Sequence, residues 1–269
     1  MNYRIVARTL GTMFIITSCC MIPSAIVSIY YKDDVSLSSF FLVSFIMAVI
    51  GIFLKTIPKK NDLIRLREGY LLVVLTWFLV CFFCALPYYI SGAIPDFFDA
   101  LFESTSGVTT TGSSALSDIE ALPKPMLFWR GFTHWMGGLG ILTMAIAILP
   151  ALGISGFQMA KAEASNSNLD KTAPKMTDMA KILYKTYFFL TAGCFVLLLL
   201  GGMNVFDASA HAFSAIATGG FSTKNLSVGY FNSAYIETVL CIFMIIGSIS
   251  FPILYATIIR KKIQGFFQK

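Results

Sequence analysis

A short segment occurs twice in this chain, each time between long apolar runs. Residues 98–114 read Phe-Asp-Ala-Leu-Phe-Glu-Ser-Thr-Ser-Gly-Val-Thr-Thr-Thr-Gly-Ser-Ser, and residues 206–222 read Phe-Asp-Ala-Ser-Ala-His-Ala-Phe-Ser-Ala-Ile-Ala-Thr-Gly-Gly-Phe-Ser. Each copy is too short to cross a bilayer. A half-length helix followed by a Thr/Gly turn at membrane depth can build an ion-coordinating loop from backbone carbonyls. The repeat therefore predicts two equivalent re-entrant segments.

The composition places these segments in an integral membrane protein. The chain is 57% hydrophobic and 13% charged, whereas a soluble domain carries roughly a quarter charged residues. The net charge of +6 is then a matter of membrane topology, and we expect no nucleic-acid partner. All six cysteines lie in apolar runs, which favours a packing role over a redox or zinc site.

We predict an all-α fold with six transmembrane helices, because six apolar runs approach or exceed the ~20 residues that cross the hydrocarbon core. Two re-entrant helices with filter loops interrupt the connections after the third and fifth spans. This divides the chain into a two-helix N-terminal domain over 1–60 and two span–pore helix–span units over 61–160 and 161–269. The predicted spans are 9–31, 38–57, 70–91, 126–150, 181–203 and 233–259.

The basic residues indicate the orientation of these spans. Most of the 20 Lys and Arg residues fall on the side that holds both termini, and the opposite side carries only Lys32, Lys124, Arg130 and Lys224. The excess of positive charge predicts that both termini are cytoplasmic. The external connections carry carboxylates that would weakly attract cations to the outer mouth, namely Asp33, Asp34, Asp96, Asp118 and Glu120.

The first re-entrant segment has the features of a short capped helix. Pro95 and Asp96 are typical of a helix start, and residues 97–107 are expected to be helical. The C-terminus of such a helix carries partial negative charge, which suits a cation. An ordinary loop with turn residues is the alternative, but two copies at matching positions make it the weaker one.

Three further features invite a functional interpretation. Glu103 could help to bind a cation or could pair locally, and both interpretations stay open. His134 and Trp135 could sense pH, although anchoring of a helix end at the membrane interface is favoured. The glycines at 137, 138 and 140 predict close helix packing.

The motifs of the chain, in this order, resemble the Trk/Ktr/HKT superfamily of potassium transporters, most closely its bacterial TrkH/TrkG branch. The motifs that carry the resemblance lie at 102–112, 134–141, 147–150, 161–163 and 213–222. The resemblance implies a fold of four span–pore helix–span units around one pore. It also implies a transporter rather than an enzyme, in the bacterial inner membrane, with potassium as substrate and no cofactor.

The resemblance also assigns the site. The residues that would bind potassium in the filter are Thr110, Thr111 and Gly112 from the first unit and Thr218, Gly219 and Gly220 from the second. Glycine at positions 112 and 220 is associated in the family with potassium selectivity. A cytosolic nucleotide-binding regulator of the TrkA type is the implied partner, and the basic segment 161–185 is a candidate contact.

The chain departs from the family pattern in holding two of its four units. We therefore expect it to be the N-terminal half of a longer transporter. A split or truncated gene is one alternative, and a half-length protein that forms a homodimer around a cation pore is another. A third is an accessory membrane protein that does not transport.

Overall fold

The computed structural model describes residues 3–58, 66–148 and 176–249, and within these ranges the chain is helical with no strand. This confirms the predicted helical class. The ends predicted for spans at 150 and 259 and the segment 161–175 lie outside the described residues. The α-helices are α1 Tyr3–Cys20, α2 Ile22–Tyr31, α3 Asp34–Thr56, α4 Leu66–Ile90, α5 Phe97–Val108, α6 Lys124–Ile148, α7 Met176–Leu200, α8 Val205–Ile216 and α9 Ala234–Ser248.

Within the described ranges, four helical stretches are long and apolar enough to cross a membrane. They are Tyr3–Tyr31, Asp34–Thr56, Arg67–Ile90 and Leu183–Leu200. Helix α6 has 25 residues, and the apolar helix α9 has 15 residues. The predicted total of six spans therefore stays a prediction.

The first predicted span is divided into two helices at Met21. Pro23 lies in the first turn of α2, and proline cannot donate a hydrogen bond to the carbonyl four residues earlier. Helix α1 ends at Cys20 for this reason, and α2 begins at Ile22.

Helices α1 and α3 pack against each other through glycine. A Cβ atom added to Gly11 would lie 2.7 Å from the Gly51 carbonyl oxygen, and one added to Gly51 would lie 2.8 Å from the Gly11 carbonyl oxygen. Arg8 on α1 donates hydrogen bonds to the carbonyl oxygens of Lys55 and Ile57, at 2.8 and 2.7 Å. These bonds satisfy carbonyls at the C-terminal end of α3.

Two units of similar construction follow, α4–α5–α6 and α7–α8–α9. The short helix predicted over 97–107 is observed as Phe97–Val108, and α8 is its equivalent in the second unit. Asp96 caps α5 by accepting hydrogen bonds from the backbone N–H groups of Phe98 and Asp99, and Asn204 caps α8. Side-chain caps of this kind satisfy N–H groups that have no partner inside the helix.

Each short helix ends against a glycine of the helix that follows it. A Cβ atom added to Gly137 on α6 would overlap the carbonyl oxygen of Val108, the last residue of α5. A Cβ atom added to Gly247 on α9 would lie 2.7 Å from the carbonyl oxygen of Ile216, the last residue of α8. The close packing predicted for the glycines of α6 is therefore present at Gly137.

Substitution of Gly137 by alanine is expected to lower the stability of the protein by about 1–3 kcal/mol, because the methyl group meets backbone that cannot rotate away. Gly140→Ala is the matched control on the same helix, since a Cβ atom there would have no atom of the described residues within 4 Å. Alanine favours a helix by about 1 kcal/mol over glycine, so the control should be neutral or stabilising. Thermal unfolding in detergent measures both, and equal effects would contradict the proposed overlap.

Candidate ion filter

The chain leaves α5 through a tight turn with threonine at its left-handed position. Thr110 has φ 57°, and its N–H donates to the Gly107 carbonyl at 3.1 Å. The next N–H, of Thr111, donates to the Ser106 carbonyl at 2.9 Å. These two bonds form a Schellman motif. Glycine is the usual residue here, and a β-branched residue in this region is strained.

The same turn ends α8. Thr218 has φ 53°, and its N–H donates to the Ala215 carbonyl at 3.0 Å. The N–H of Gly219 donates to the Ser214 carbonyl at 2.8 Å. The repeat in the sequence is therefore a repeat of backbone geometry, including the strained threonine.

A glycine with positive φ follows two residues after each threonine. Gly112 has φ 78° and Gly220 has φ 102°. In both segments the sign of φ therefore alternates over three residues. Such a backbone can turn successive carbonyl groups to one side, which is the arrangement that replaces the hydration shell of a cation in carbonyl-lined filters.

The two segments meet backbone to backbone. A Cβ atom added to Gly112 would overlap the carbonyl oxygen of Gly219, so only glycine fits at this contact. The structure thus brings together both sets of residues predicted for the filter. Thr111, Thr218 and Gly220 are exposed, whereas Gly219 is buried.

No group of three or more His, Cys, Asp or Glu side chains that could hold a metal ion occurs in the described part of the chain. The chemical groups that the two segments offer to a cation are carbonyl and hydroxyl oxygens. Oxygen ligands of this kind suit a hard cation.

His134 supports the second segment from α6. Its ring stacks on Phe221 with 4.2 Å between centroids, and its Nδ1 lies 3.0 Å from Ser214 Oγ. The N–H of Gly220 donates to the same Ser214 Oγ at 2.9 Å. A Cβ atom on Gly219 would overlap the imidazole. Because His134 is completely buried, its interpretation as an interfacial anchor is wrong.

A buried ion pair, Glu103 with Arg130, lies beside both segments. Arg130 Nε donates to Glu103 Oε1 at 2.6 Å, Nη1 donates to the Ser222 carbonyl at 3.0 Å, and Nη2 donates to Ser114 Oγ at 3.3 Å. The guanidinium also lies over the Phe221 ring, 4.0 Å from its centroid. Glu103 therefore pairs locally, and Arg130, which the charge pattern assigns to the external side, is a buried residue of α6.

The second unit carries histidine where the first carries Glu103. His211 Nε2 lies 2.9 Å from Ser222 Oγ, and its Nδ1 lies 2.7 Å from the Asp207 carbonyl. Ser114 donates to Glu103 at 3.0 Å. In both units, the residue at this position of the short helix bonds to the serine two residues after the filter glycine. Only in the first unit is that residue a carboxylate.

The loops that follow the two segments are joined by hydrogen bonds and one ion pair, a contact that we call the latch. The Ile119 N–H donates to Asn225 Oδ1 at 2.7 Å, and Asn225 Nδ2 donates to Asp118 Oδ1 at 2.8 Å. Lys224 Nζ pairs with Glu120 at 3.1 Å. The Asn225 side chain holds the pKa of Asp118 below its ordinary value, and the Asn225 backbone N–H, followed by Lys224, lowers the pKa of Glu120. These carboxylates therefore serve loop contacts.

The latch should weaken in acid. Lowered carboxyl pKa values stabilise the folded contact above the unfolded values of about 4, and the contribution is lost as the pH falls through the lowered values. We expect hydrogen exchange of the Ile119 amide, corrected for its intrinsic rate, to accelerate below about pH 4. Asn225→Ala should give the same acceleration at neutral pH. Amides of α3 are the internal control, and unchanged protection in both experiments would contradict the latch.

The fold is that of a polytopic membrane protein of the pore-loop class. It has helices of membrane-spanning length and two equivalent short helices, whose strained turns contact each other. The family model for TrkH, described as a cation transport protein, matches residues 36–268. The chain belongs to this family. The predicted resemblance is thereby confirmed.

Individual relatives agree with this assignment. The chain is 35% identical over 274 residues to the Trk system potassium uptake protein TrkH of Halomonas elongata, covering 100% of this chain and 56% of that protein. It is 36% identical over 266 residues to the Trk system potassium uptake protein TrkG of Escherichia coli K12, covering 98% of this chain and 55% of that protein. The chain spans about half the length of the curated relatives it matches.

A solved structure matches the fold. The crystal structure of the potassium transporter TrkH from Vibrio parahaemolyticus superposes with a TM-score of 0.84 and 34% sequence identity. The match covers 96% of this chain and 52% of that chain.

Proposed function

We propose that this chain forms part of the potassium-conducting pore of a Trk-type uptake system in the bacterial inner membrane. It would supply the two-helix N-terminal domain and two of four span–pore helix–span units, with both termini in the cytoplasm. Potassium would be its substrate, without a cofactor. The observation that carries the proposal is the pair of identical turns, each with a left-handed threonine and a positive-φ glycine, in direct backbone contact.

The filter residues are proposed with this function. Thr110, Thr111 and Gly112 would line one side of the ion path, and 218–220 the adjacent side. Exposure of Thr111, Thr218 and Gly220 supports this role, since a cation must reach the carbonyl and hydroxyl oxygens. Buried Gly219 would act by allowing close contact with its neighbours.

Two adjacent segments line only part of a closed path. The other sides would come from two further units of a longer transporter, which we favour, or from a second copy of this chain in a homodimer. A TrkA-like regulator would bind the cytosolic face, for which the basic segment 161–185 is the proposed contact.

Expression in a bacterial strain that lacks potassium uptake tests the proposal. The chain is expressed alone, and together with the second half of a full-length TrkH protein, under potassium-limited growth with rubidium uptake as the direct readout. Growth only with both halves supports the proposal as stated. Growth with the chain alone, together with a crosslinked dimer, supports the homodimer. If neither the chain alone nor the two halves together restore growth, although both halves are present in the membrane, a transport function is contradicted and an accessory protein is favoured.

A further inference from the structure

One guanidinium group contacts both segments just beyond their filter glycines. We call the residues that follow Gly112 the first arm and those that follow Gly220 the second arm. Arg130 reaches Ser114 Oγ, which follows Gly112 in the first arm, and the Ser222 carbonyl, which follows Gly220 in the second. Glu103 holds the arginine and also accepts hydrogen bonds from Ser114 Oγ at 3.0 Å and from the Ala115 N–H at 3.2 Å. We call Glu103, Arg130, Ser114 and the Ser222 carbonyl the filter brace.

The brace depends on the shape of arginine. Its planar group presents donors in fixed directions. Here Nε and Nη2 both contact Glu103, Nη2 also reaches Ser114 in the first arm, and Nη1 donates to Ser222 in the second. A lysine ammonium is a compact point charge on a flexible stem. Lysine could keep the ion pair with Glu103 but could not hold both arms at a fixed separation.

The burial of the pair argues for a purpose beyond stability. The side chains of Arg130 and Glu103 are 1% and 0% exposed. Desolvation of two charges offsets most of their attraction, and apolar residues of similar volume often stabilise as well or better. A pair of this kind can instead specify one geometry among several. The geometry specified here is that of two backbone segments that touch at Gly112 and Gly219.

The second unit cannot supply this support by itself. His211 occupies the position equivalent to Glu103 and bonds to the Ser222 hydroxyl. The Ser222 carbonyl, by contrast, is held by Arg130 of the first unit. Between the filter glycines and the latch, the two arms are therefore joined by one ion pair, and both of its members belong to the first unit.

We propose that the Glu103–Arg130 pair sets the separation of the two filter segments and thereby the discrimination of potassium over sodium. Both are positioning residues, since they act through Ser114 and Ser222 rather than on the ion. Discrimination in a carbonyl-lined filter depends on the placement and number of its oxygens, so release of one arm should admit sodium. The inference rests on the proposed function.

Arg130→Lys in the complete transporter is the primary test. We expect the ratio of potassium to sodium uptake to fall by about tenfold, the effect of losing a charge-assisted hydrogen bond. Growth at ample potassium should continue. Arg67→Lys is the matched control, because Arg67 is exposed on α4, and it should leave the ratio unchanged.

A second variant covers the case in which Arg130→Lys does not fold. Ser114→Ala removes the hydroxyl group that bonds to both members of the pair, at an exposed position. It should lower the same ratio by about threefold, as expected for one neutral hydrogen bond.

Ion-dependent thermal protection of the purified transporter gives a readout that a merely structural role would not move. The unsubstituted protein should be protected by potassium more than by sodium, and Arg130→Lys should lose this difference. An unchanged uptake ratio together with unchanged protection overturns the inference. Lower stability without ions at an unchanged ratio assigns the pair a structural role only and also overturns it. Absence of potassium uptake and of potassium protection in the unsubstituted protein contradicts the proposed function itself.

Discussion

Replacement of Gly112 by serine is expected to lower the potassium-over-sodium discrimination of the complete transporter by tenfold or more. Two costs add at this position. A residue with a Cβ atom at φ 78° costs about 1–2 kcal/mol. The added atom would also overlap the Gly219 carbonyl oxygen, and overpacking of this kind costs about 1–3 kcal/mol. The second segment must move, and its carbonyl groups move with it.

Substitutions at two other glycines measure the backbone strain without the steric overlap. Gly92 has φ 72° in a loop before α5, and Gly220 has φ 102° in the second segment. In the part of the chain that the structure describes, no atom lies within 4 Å of a Cβ atom added to either. Gly92→Ser should therefore affect stability alone, with no change in selectivity. Gly220→Ser should lower selectivity less than Gly112→Ser, because strain acts there without the overlap. Ion uptake in mixed potassium and sodium measures all three, and normal selectivity of an active Gly112→Ser transporter would contradict the filter assignment.

Replacement of Ser214 by alanine is expected to have the second large effect. Ser214 Oγ accepts a hydrogen bond from the Gly220 N–H and shares one with His134. Alanine would leave a backbone donor of the second segment and a buried imidazole without this partner, at a cost of about 1–3 kcal/mol. We expect weaker potassium protection in thermal unfolding and a several-fold lower uptake ratio.

The repeat offers a matched control for this substitution. Ser106 is the equivalent residue of α5, and its buried hydroxyl group has no hydrogen-bond partner among the described residues. Ser106→Ala should therefore be nearly neutral in both measurements. Equal effects at the two serines would show that the bonds of Ser214 do not support the segment.

The local features of the fold could be predicted from the sequence. Asp96 starts α5 and the helix ends near Gly107, because capping and glycine chemistry act over a few residues. The two equivalent turns could also be predicted, since the repeat encodes them. The interruption at Met21 was not predicted, although Pro23 is a local signal for it.

The supports of the site could not be predicted in the same way. Arg130 and Ser222 are 92 residues apart in the chain, and His134 and Ser214 are 80 residues apart. Charge counting assigns Arg130 only to one side of the membrane, because the excess of basic residues reports topology and no contact between side chains. Its burial depends on Glu103, which lies on another helix, and a pattern within one helix does not report such a partner.

In each of these contacts, a residue of the first unit supports a residue of the second. Helix α6 of the first unit contacts α8 through Gly131 and Ala210, where an added Cβ atom would lie 3.0 Å from a carbonyl oxygen, and it reaches the second filter segment through Arg130 and His134. During synthesis from the N-terminus, α6 is complete before the second segment emerges from the ribosome. The second segment can therefore fold against a helix that has already been synthesised.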